Sequence, residues 1–564
     1  MIIEYLSSIG VRHVFGVGGA NIEDLYDAAH FRDDITAVLA KHEFAAAAMA
    51  DGYSRSGAGL GVVMATSGGA SLNLVPGLGE SLASGVPVLA LVGQPPSGQD
   101  GHGSFQDTSG RNGSLDAHAL FSAVSLHCER VIDPADTFGA LSRAVAAART
   151  GGPAVVLLPK DIQQSRLRLD DMLVDRSGHA TVDHGADLTL LAGELARAVG
   201  RVTIIAGEQV GRDDAREDLE RLRVALGAEL ATVPDAKDVS RSATLGVTGV
   251  MGHLGVADAV RRSQVCLVIG TRLGATARAG LDDALASVTT LSIGAEAPYI
   301  SCRHARSTDL RVSLSTLTAA LSAAGSDPLP ELWSSVHRGP GIRLPELRPP
   351  AHRGPGIRYR EAMAVLDQML PDDVDIVVDA GNTGASAIHY LPARPDGRFV
   401  VALGMGGMGY SFGAAIGVAF ARGRRTVVIA GDGSFFMHGM EIHTACEYRL
   451  PITFVLFNNN AHAMCVTREQ IFYADQYSYN RFRPSRLGGG LAAMFPGLSA
   501  LDISEINHLP VALEAALDVD GPAVISVECS ADEIPPFAPF LTETKPAAPQ
   551  RQNKENQHHV TAGA

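Results

Sequence analysis

A chain of 564 residues with 46 basic and 61 acidic side chains carries a formal charge of −15, which argues against a nucleic-acid-binding protein. With 46% hydrophobic and 19% charged residues it has the material for sizeable cores, and at roughly 150 residues per domain its length predicts three or four of them. No apolar run reaches the ~18 residues of a membrane span, and the opening MIIEYLSSIGVRHVFG turns amphipathic before a signal-peptide core forms, so a cytoplasmic location is expected.

In chain order, short apolar runs ending in Gly, Pro or Asp alternate with stretches of helical spacing, the pattern of βαβ units. Strands are predicted first at GVVMAT (61–66), VPVLALVG (86–93) and AVVLLP (154–159). A second set is VTIIAG (202–207), VCLVIG (265–270) and VTTLSIG (288–294). DIVVDAG (375–381), FVVALG (399–404), TVVIAGDG (426–433), ITFVLFNN (452–459) and AVISVE (523–528) form a third. Continuous rather than alternating hydrophobicity means that both faces of each strand are covered. The expected fold class is therefore α/β, with three doubly wound parallel-sheet domains at 1–165, 186–325 and 358–544. Residues 162–186 and 325–357 read as linkers, the second rich in Pro, Gly and Arg and carrying HRGPGIR twice, at His337–Arg343 and His352–Arg358. Two copies make no solenoid, and a local duplication in a tolerant linker accounts for them. Residues 545–564 are too polar to pack and are expected to form a disordered tail. The six cysteines, Cys128, Cys266, Cys302, Cys446, Cys465 and Cys529, include no C-x-x-C pair, as suits reduced structural thiols.

Two signals compete for the chemistry. Gly404-Met405-Gly406-Gly407-Met408-Gly409 is a formal G-x-G-x-x-G between the run FVVAL and the helical stretch YSFGAAIGVAFA, and by itself it reads as a dinucleotide site. An acid, Asp432, even follows about 20 residues on, where a ribose hydroxyl is read. Yet Asp432 belongs to Gly431-Asp432-Gly433 at the end of the next strand, and the strand after that ends in Asn458-Asn459-Asn460. A carboxylate and a carboxamide at neighbouring strand tips suit a hard divalent cation that grips a diphosphate. A ribose reader has no use for the asparagines. The plainer alternative is a G-D-G turn that caps a helix, beside an Asn-rich loop.

GDG, a spacer of 24 residues from Ser434 to Phe457, and then NN resembles the signature of thiamine diphosphate enzymes. The resemblance implies that Asp432, the Asn459 side chain and the Ala461 carbonyl hold Mg²⁺, which in turn binds the diphosphate. It also demands a buried Glu that hydrogen-bonds the cofactor's pyrimidine ring. His42-Glu43-Phe44, opening the Ala-rich stretch AAAAMADGYSR, resembles the family's R-H-E segment and makes Glu43 the implied catalytic acid. Its alternative role is to complement a helix dipole. Val14-Phe15-Gly16-Val17-Gly18-Gly19-Ala20 resembles V-F-G-x-P-G-G-A with Gly18 for the proline, and Thr66–Asn73 resembles T-S-G-P-G-A-T-N. Phe105-Gln106-Asp107 stands where acetolactate synthases carry F-Q-E, so Gln106 is implied to face the reacting carbons and Phe105 the substrate. Gly407-Met408-Gly409-Tyr410 resembles T-M-G-F, whose Met wedges under the thiamine; plain core packing is the alternative for Met408. Gly19, Asn73, Gly381, Asn382, Gly406, Met408, Gly433, Ser434 and Met464 are the implied cofactor contacts.

The resemblance covers about residues 1–540, in the order pyrimidine-binding, central and diphosphate-binding domain, and the overall pattern is most similar to acetolactate synthase. It implies a homodimer or homotetramer with active sites at the subunit interface, and decarboxylation of pyruvate or a similar 2-oxo acid with transfer of the two-carbon unit to a carbonyl acceptor. Simple non-oxidative decarboxylation and a degenerate, non-catalytic homologue are the alternatives. Three departures bear on the acceptor and on flavin. Arg468 occupies the position of the acceptor-shaping Trp, and its planar fork suits a carboxylate, phosphate or sulfonate; a solvated surface Arg is the other reading. TSGRNGSLDAHAL, after the F-Q-D triplet, is long and Gly-rich. Ser292-Ile293-Gly294 stands where flavin-binding relatives show D-I-D, so FAD is not favoured. His102, His438 and His462 lie near these motifs and have the right chemistry to shuttle protons, although for each a satisfied structural role is the simpler account.

Overall fold

The computed structural model describes residues 1–166, 185–323, 355–473, 478–535 and 537. Trp333, the first HRGPGIR copy, the start of the second and the C-terminal tail lie outside the described residues, as do the middle of the 162–186 stretch and most of the 325–357 stretch.

Among the described residues, three six-stranded parallel sheets organise the fold. The first contains β1 (His13–Val17), β2 (Thr36–Leu39), β3 (Gly61–Ala65), β4 (Val88–Gln94), β5 (His127–Arg130) and β6 (Pro153–Pro159), in the order β2-β1-β3-β4-β6-β5. The second contains β7 (Val202–Ala206), β8 (Glu229–Thr232), β9 (Gly246–Val247), β10 (Val265–Ile269), β11 (Thr289–Gly294) and β12 (Arg303–Arg306), in the order β9-β8-β7-β10-β11-β12. The third contains β13 (Asp375–Val378), β14 (Phe399–Val401), β15 (Thr426–Gly431), β16 (Ile452–Asn458), β17 (Ser499–Ile503) and β18 (Ala523–Glu528), in the order β14-β13-β15-β16-β18-β17. The first and third sheets thus repeat one topology, and each reverses direction between its first and third strands. In doubly wound sheets, ligands bind in the crevice outside the C-terminal strand ends at that reversal.

Each predicted apolar run contains a strand. β3, β4, β6, β10 and β16 are buried at every residue, as continuous runs require. The runs did not reveal β1, β2, β5, β8, β9, β12 or β17. Four of these, β2, β5, β12 and β17, are only partly buried, because an edge or near-edge strand needs no unbroken apolar sequence. All six cysteines are free. Among the described residues no helix is long and apolar enough to cross a membrane.

The first and third sheets share one hydrophobic core, whereas the central sheet closes its own. Their junction is the crossing of the Glu43–Arg55 helix with the Tyr410–Arg422 helix. A Cβ on Gly413 would stand 2.4 Å from the Ala45 carbonyl oxygen, and one on Gly417 only 1.9 Å from that of Met49. Small residues spaced four apart, Gly413 and Gly417, therefore let the two backbones touch. That contact brings the start of the Glu43 helix beside the glycine loop at 404–409.

Candidate active site

β13, β15 and β16 are adjacent, and their C-terminal ends present Asp379, Asp432 and Asn459 at one edge of the third sheet. Asp432 opens the helix Asp432–His438 and is fully buried. Its Oδ1 accepts the N–H of Gly433 at 3.0 Å and its Oδ2 that of Ala461 at 3.3 Å. Burial pushes its pKa up to about 6, against the opposing pull of the Gly433, Asn460 and Ala461 backbone donors. Among the described residues no cationic side chain pairs with it. Asn459 donates through Nδ2 to the Tyr359 hydroxyl at 3.0 Å, which leaves its buried Oδ1 without a partner. Asn382, on the helix after β13, likewise donates to Thr467 at 2.9 Å and leaves its Oδ1 unpartnered.

A buried carboxylate held only by backbone N–H groups, on the strand tip next to that of an orphaned carboxamide oxygen, makes a set of hard oxygen donors that would suit a divalent cation. Among the described residues no group of three or more His, Cys, Asp or Glu is placed to hold a metal, so a cation here draws on amide and backbone oxygens. Gly433 lies directly under the His462 ring, whose Nδ1 would be 2.5 Å from a Cβ there, with Met408 Cε at 3.3 Å. Met408, Gly433 and His462 therefore line one face of the donor set. Ser434 spends its hydroxyl on Asp379. Gly381 has φ +90° and Gly406 φ +66°, and Met464 is half-buried on the Ala463–Phe472 helix.

The glycine loop is held at both ends by carboxylates. Asp379 accepts the N–H groups of Gly409 and Ser411, each at 2.9 Å. Glu80, from the first domain, accepts those of Gly404, Met405 and Gly406 at 3.1, 2.6 and 3.3 Å. Three successive N–H groups of this kind would otherwise cradle a phosphate. Here the protein's own carboxylate fills them, which removes the physical basis for reading 404–409 as a dinucleotide loop.

Glu43 begins its helix and is 9% exposed. Its Oε2 accepts from Asn73 Nδ2 at 2.9 Å, which joins the HEF motif to the TSGGASLN loop. Preceding it, His42 caps the helix through the N–H of Phe44, and Glu441 of the third domain accepts the N–H groups of Lys41 and His42 at 2.8 and 3.0 Å. The Phe44 ring approaches a Gly407 Cβ position to 3.4 Å, and His438 packs on Phe44 with ring centroids 4.5 Å apart. Gly19 lies against Thr66, and Gln106, with φ +60°, lies against Gly68. Phe105 is 77% exposed. Arg468 is exposed and stands 5.2 Å above the Phe472 ring. The structure therefore gathers Asp432, Asn459, Ala461, Gly433, Met408 and Ser434 at one strand edge and links Glu43 with Asn73, while Phe105 and Arg468 project to solvent. Sequence reasoning missed Asp379, Glu80 and Glu441. Of these only Asp379 had a signal, an acid at a strand end before a glycine.

The chain matches three models of one family: the thiamine pyrophosphate enzyme N-terminal TPP binding domain over residues 1–115, the central domain over 188–311 and the C-terminal TPP binding domain over 379–527. It is 28% identical over 551 residues to the acetolactate synthase isozyme 2 large subunit of Escherichia coli K12, covering 96% of each chain. Acetolactate synthase 1 of Nicotiana tabacum is 27% identical over 563 residues, covering 93% of this chain and 81% of that one. Among solved structures, one from Mycobacterium smegmatis, described as a candidate thiamin diphosphate-dependent enzyme, superposes with a TM-score of 0.76. It covers 94% of this chain and 98% of its own at 22% identity, a likeness of fold.

Proposed function

The chain belongs to the thiamine pyrophosphate enzyme family, and from that premise we propose that it is a thiamine diphosphate- and Mg²⁺-dependent carboligase of the cytoplasm, resembling acetolactate synthase. It takes a 2-oxo acid such as pyruvate and passes a two-carbon unit to a carbonyl acceptor. The observation that carries this is Asp432, a buried acid with no counter-ion among the described residues, on the strand tip next to that of the orphaned Asn459 Oδ1, beside the reversal point of the third sheet.

Thiamine diphosphate, when bound, supplies the carbon nucleophile and electron sink for decarboxylation. Asp432, Asn459 Oδ1 and the Ala461 carbonyl would hold Mg²⁺. Gly381, Asn382, Gly406, Gly433, Ser434 and Met464 would surround the cofactor's tail and rings, with Gly19 and Asn73 approaching from the first domain. Glu43, oriented by Asn73, would keep a proton at its carboxyl against a ring nitrogen, and burial keeps water from competing. Met408 would fill the gap beneath the rings. Gln106 and Phe105 would face the substrate, and Arg468 an anionic acceptor. Homodimers or homotetramers with sites between subunits go with this mechanism.

Flavin fits poorly. The central sheet has the strand order of dinucleotide binders, and Glu208 follows β7 and Asp235 follows β8. Burial and then Asp235 push the Glu208 pKa up to about 7, with Arg212 opposing. What counts against flavin is Ser292-Ile293-Gly294 at the end of β11, where flavin-binding relatives show D-I-D.

Simple decarboxylation has one observation in its favour: the His438 ring lies 5.0 Å from that of His42, beside Glu43. Burial and the neighbouring His42 push the His438 pKa down to about 4, so it is neutral near pH 7 and a poor proton donor, which favours the ligase. Product analysis with pyruvate, cofactor and Mg²⁺ tests this. A coupled product that appears only with a second carbonyl supports the ligase, and acetaldehyde alone supports the decarboxylase. Absence of cofactor uptake in calorimetry overturns both.

A further inference from the structure

Glu80 lies outside every motif discussed above, yet it is 2% exposed and makes five hydrogen bonds. Besides the N–H groups of Gly404, Met405 and Gly406, it accepts from the Ser84 hydroxyl at 2.7 Å and from Arg55 at 3.2 Å. Arg55 in turn is anchored by Asp51, which also receives the Ser81 and Tyr410 hydroxyls. The carboxylate thus stands on the first domain, in a network that also takes in Tyr410 of the third, and its three backbone donors belong to the third. Burial raises its proton affinity, but Arg55, the Met405 and Gly404 N–H groups and Ser84 together hold it below the ordinary carboxylate range, so it grips the loop as an anion. Gly404 fits only because it has no side chain: a Cβ there would meet Ser84 Oγ at 2.7 Å and Ala83 Cβ at 2.8 Å.

Between this clamp, which ends at Gly406, and the second, which begins at Gly409, the loop has only two residues, Gly407 and Met408. With both ends tied, the height of Met408 above Gly433 is set by two carboxylates from two domains. We propose that Glu80 is a positioning residue, an interdomain latch that fixes the 404–409 loop so that Met408 meets the rings of the cofactor, while the diphosphate end, built on Asp432 and Asn459, does not depend on it. The second half of this proposal rests on the thiamine diphosphate assignment; the latch itself does not.

Amide hydrogen exchange of the full chain, without any ligand, tests the latch. Glu80→Gln presents an amide donor to the loop N–H groups, so exchange over 404–406 is expected to quicken about tenfold or more while protection of β15 and β16 is retained. Gly404→Ala, which leaves the acid intact and pushes the loop away, is expected to give the same local effect and to be non-additive with Glu80→Gln. Unchanged exchange over 404–406 in both variants overturns the latch. Calorimetry with Mg²⁺ and either thiamine diphosphate or inorganic pyrophosphate separates the two halves. The variants are expected to weaken thiamine diphosphate about tenfold and to leave pyrophosphate unchanged. Equal weakening of both ligands, or of neither, refutes the positioning role. A wild-type chain that binds neither ligand refutes the family-based assignment while leaving the exchange result to decide the latch.

Discussion

The carboxylate of Glu441, in the third domain, accepts the backbone N–H of His42 at 3.0 Å, so the turn that presents Glu43 is fastened from across the domain junction. The same Oε1 accepts the Lys41 N–H at 2.8 Å, and Oε2 accepts the Thr444 hydroxyl at 2.8 Å. Burial pushes the Glu441 pKa up to about 7 from 4.5, despite these donors.

A pH dependence of stability follows from Glu441. The unfolded chain releases this proton near 4.5 and the folded chain only near 7, so between those values the fold holds the extra proton and stability falls as pH rises. The effect is on the order of 3 kcal/mol. Urea denaturation of wild type and Glu441→Gln from pH 4 to 8 should show a steeper wild-type decline over that window than in the variant, where Asp432 and Glu208, also raised, keep the rest of the slope. Parallel curves would contradict the assignment.

The helix crossing at Gly417 tolerates no side chain. Gly417→Val should cost about 3 kcal/mol or more, because the added carbons collide with the Met49 carbonyl rather than with a movable side chain. Thermal unfolding measures the loss, and a control such as Gly193→Ala, where a Cβ meets nothing within 4 Å, should leave the midpoint nearly unchanged.

Glu43→Gln should reduce turnover by about a hundredfold or more, with cofactor affinity largely kept, since the substitution removes a proton-holding group and not a contact surface. Asn73→Ala, which only frees the carboxyl to wander, should have a smaller effect of about tenfold on kcat. Steady-state kinetics beside calorimetry distinguishes the two, and wild-type turnover in Glu43→Gln would refute its catalytic role.

Asp379 ties Gly409, Ser411 and Ser434 to the end of β13. Asp379→Asn puts an NH2 group against backbone N–H donors, so it should destabilise the chain by about 2 kcal/mol and weaken binding of Mg²⁺ with thiamine diphosphate about tenfold. Thermal midpoints with and without ligand report both effects, and an unaltered ligand-induced shift would count against Asp379 as a support of the site.

Much of this protein is legible in its residue order. Buried inner strands such as β4 and β16 have to be apolar on both faces, so unbroken runs betray them, and a strand tip that carries Gly-Asp-Gly or Asn-Asn shows polar groups where no core needs them. Edge strands such as β5 and β17 escape because solvent covers part of them and relaxes the demand on composition. The partners of the site residues escape for a different reason. Glu80 meets Gly404 across 324 residues and Glu441 meets Lys41 across 400. Periodicity records only how each segment faces its nearest core. Which carboxylate clasps which loop depended on two helices of small residues packing against each other, and only the folded chain could decide that.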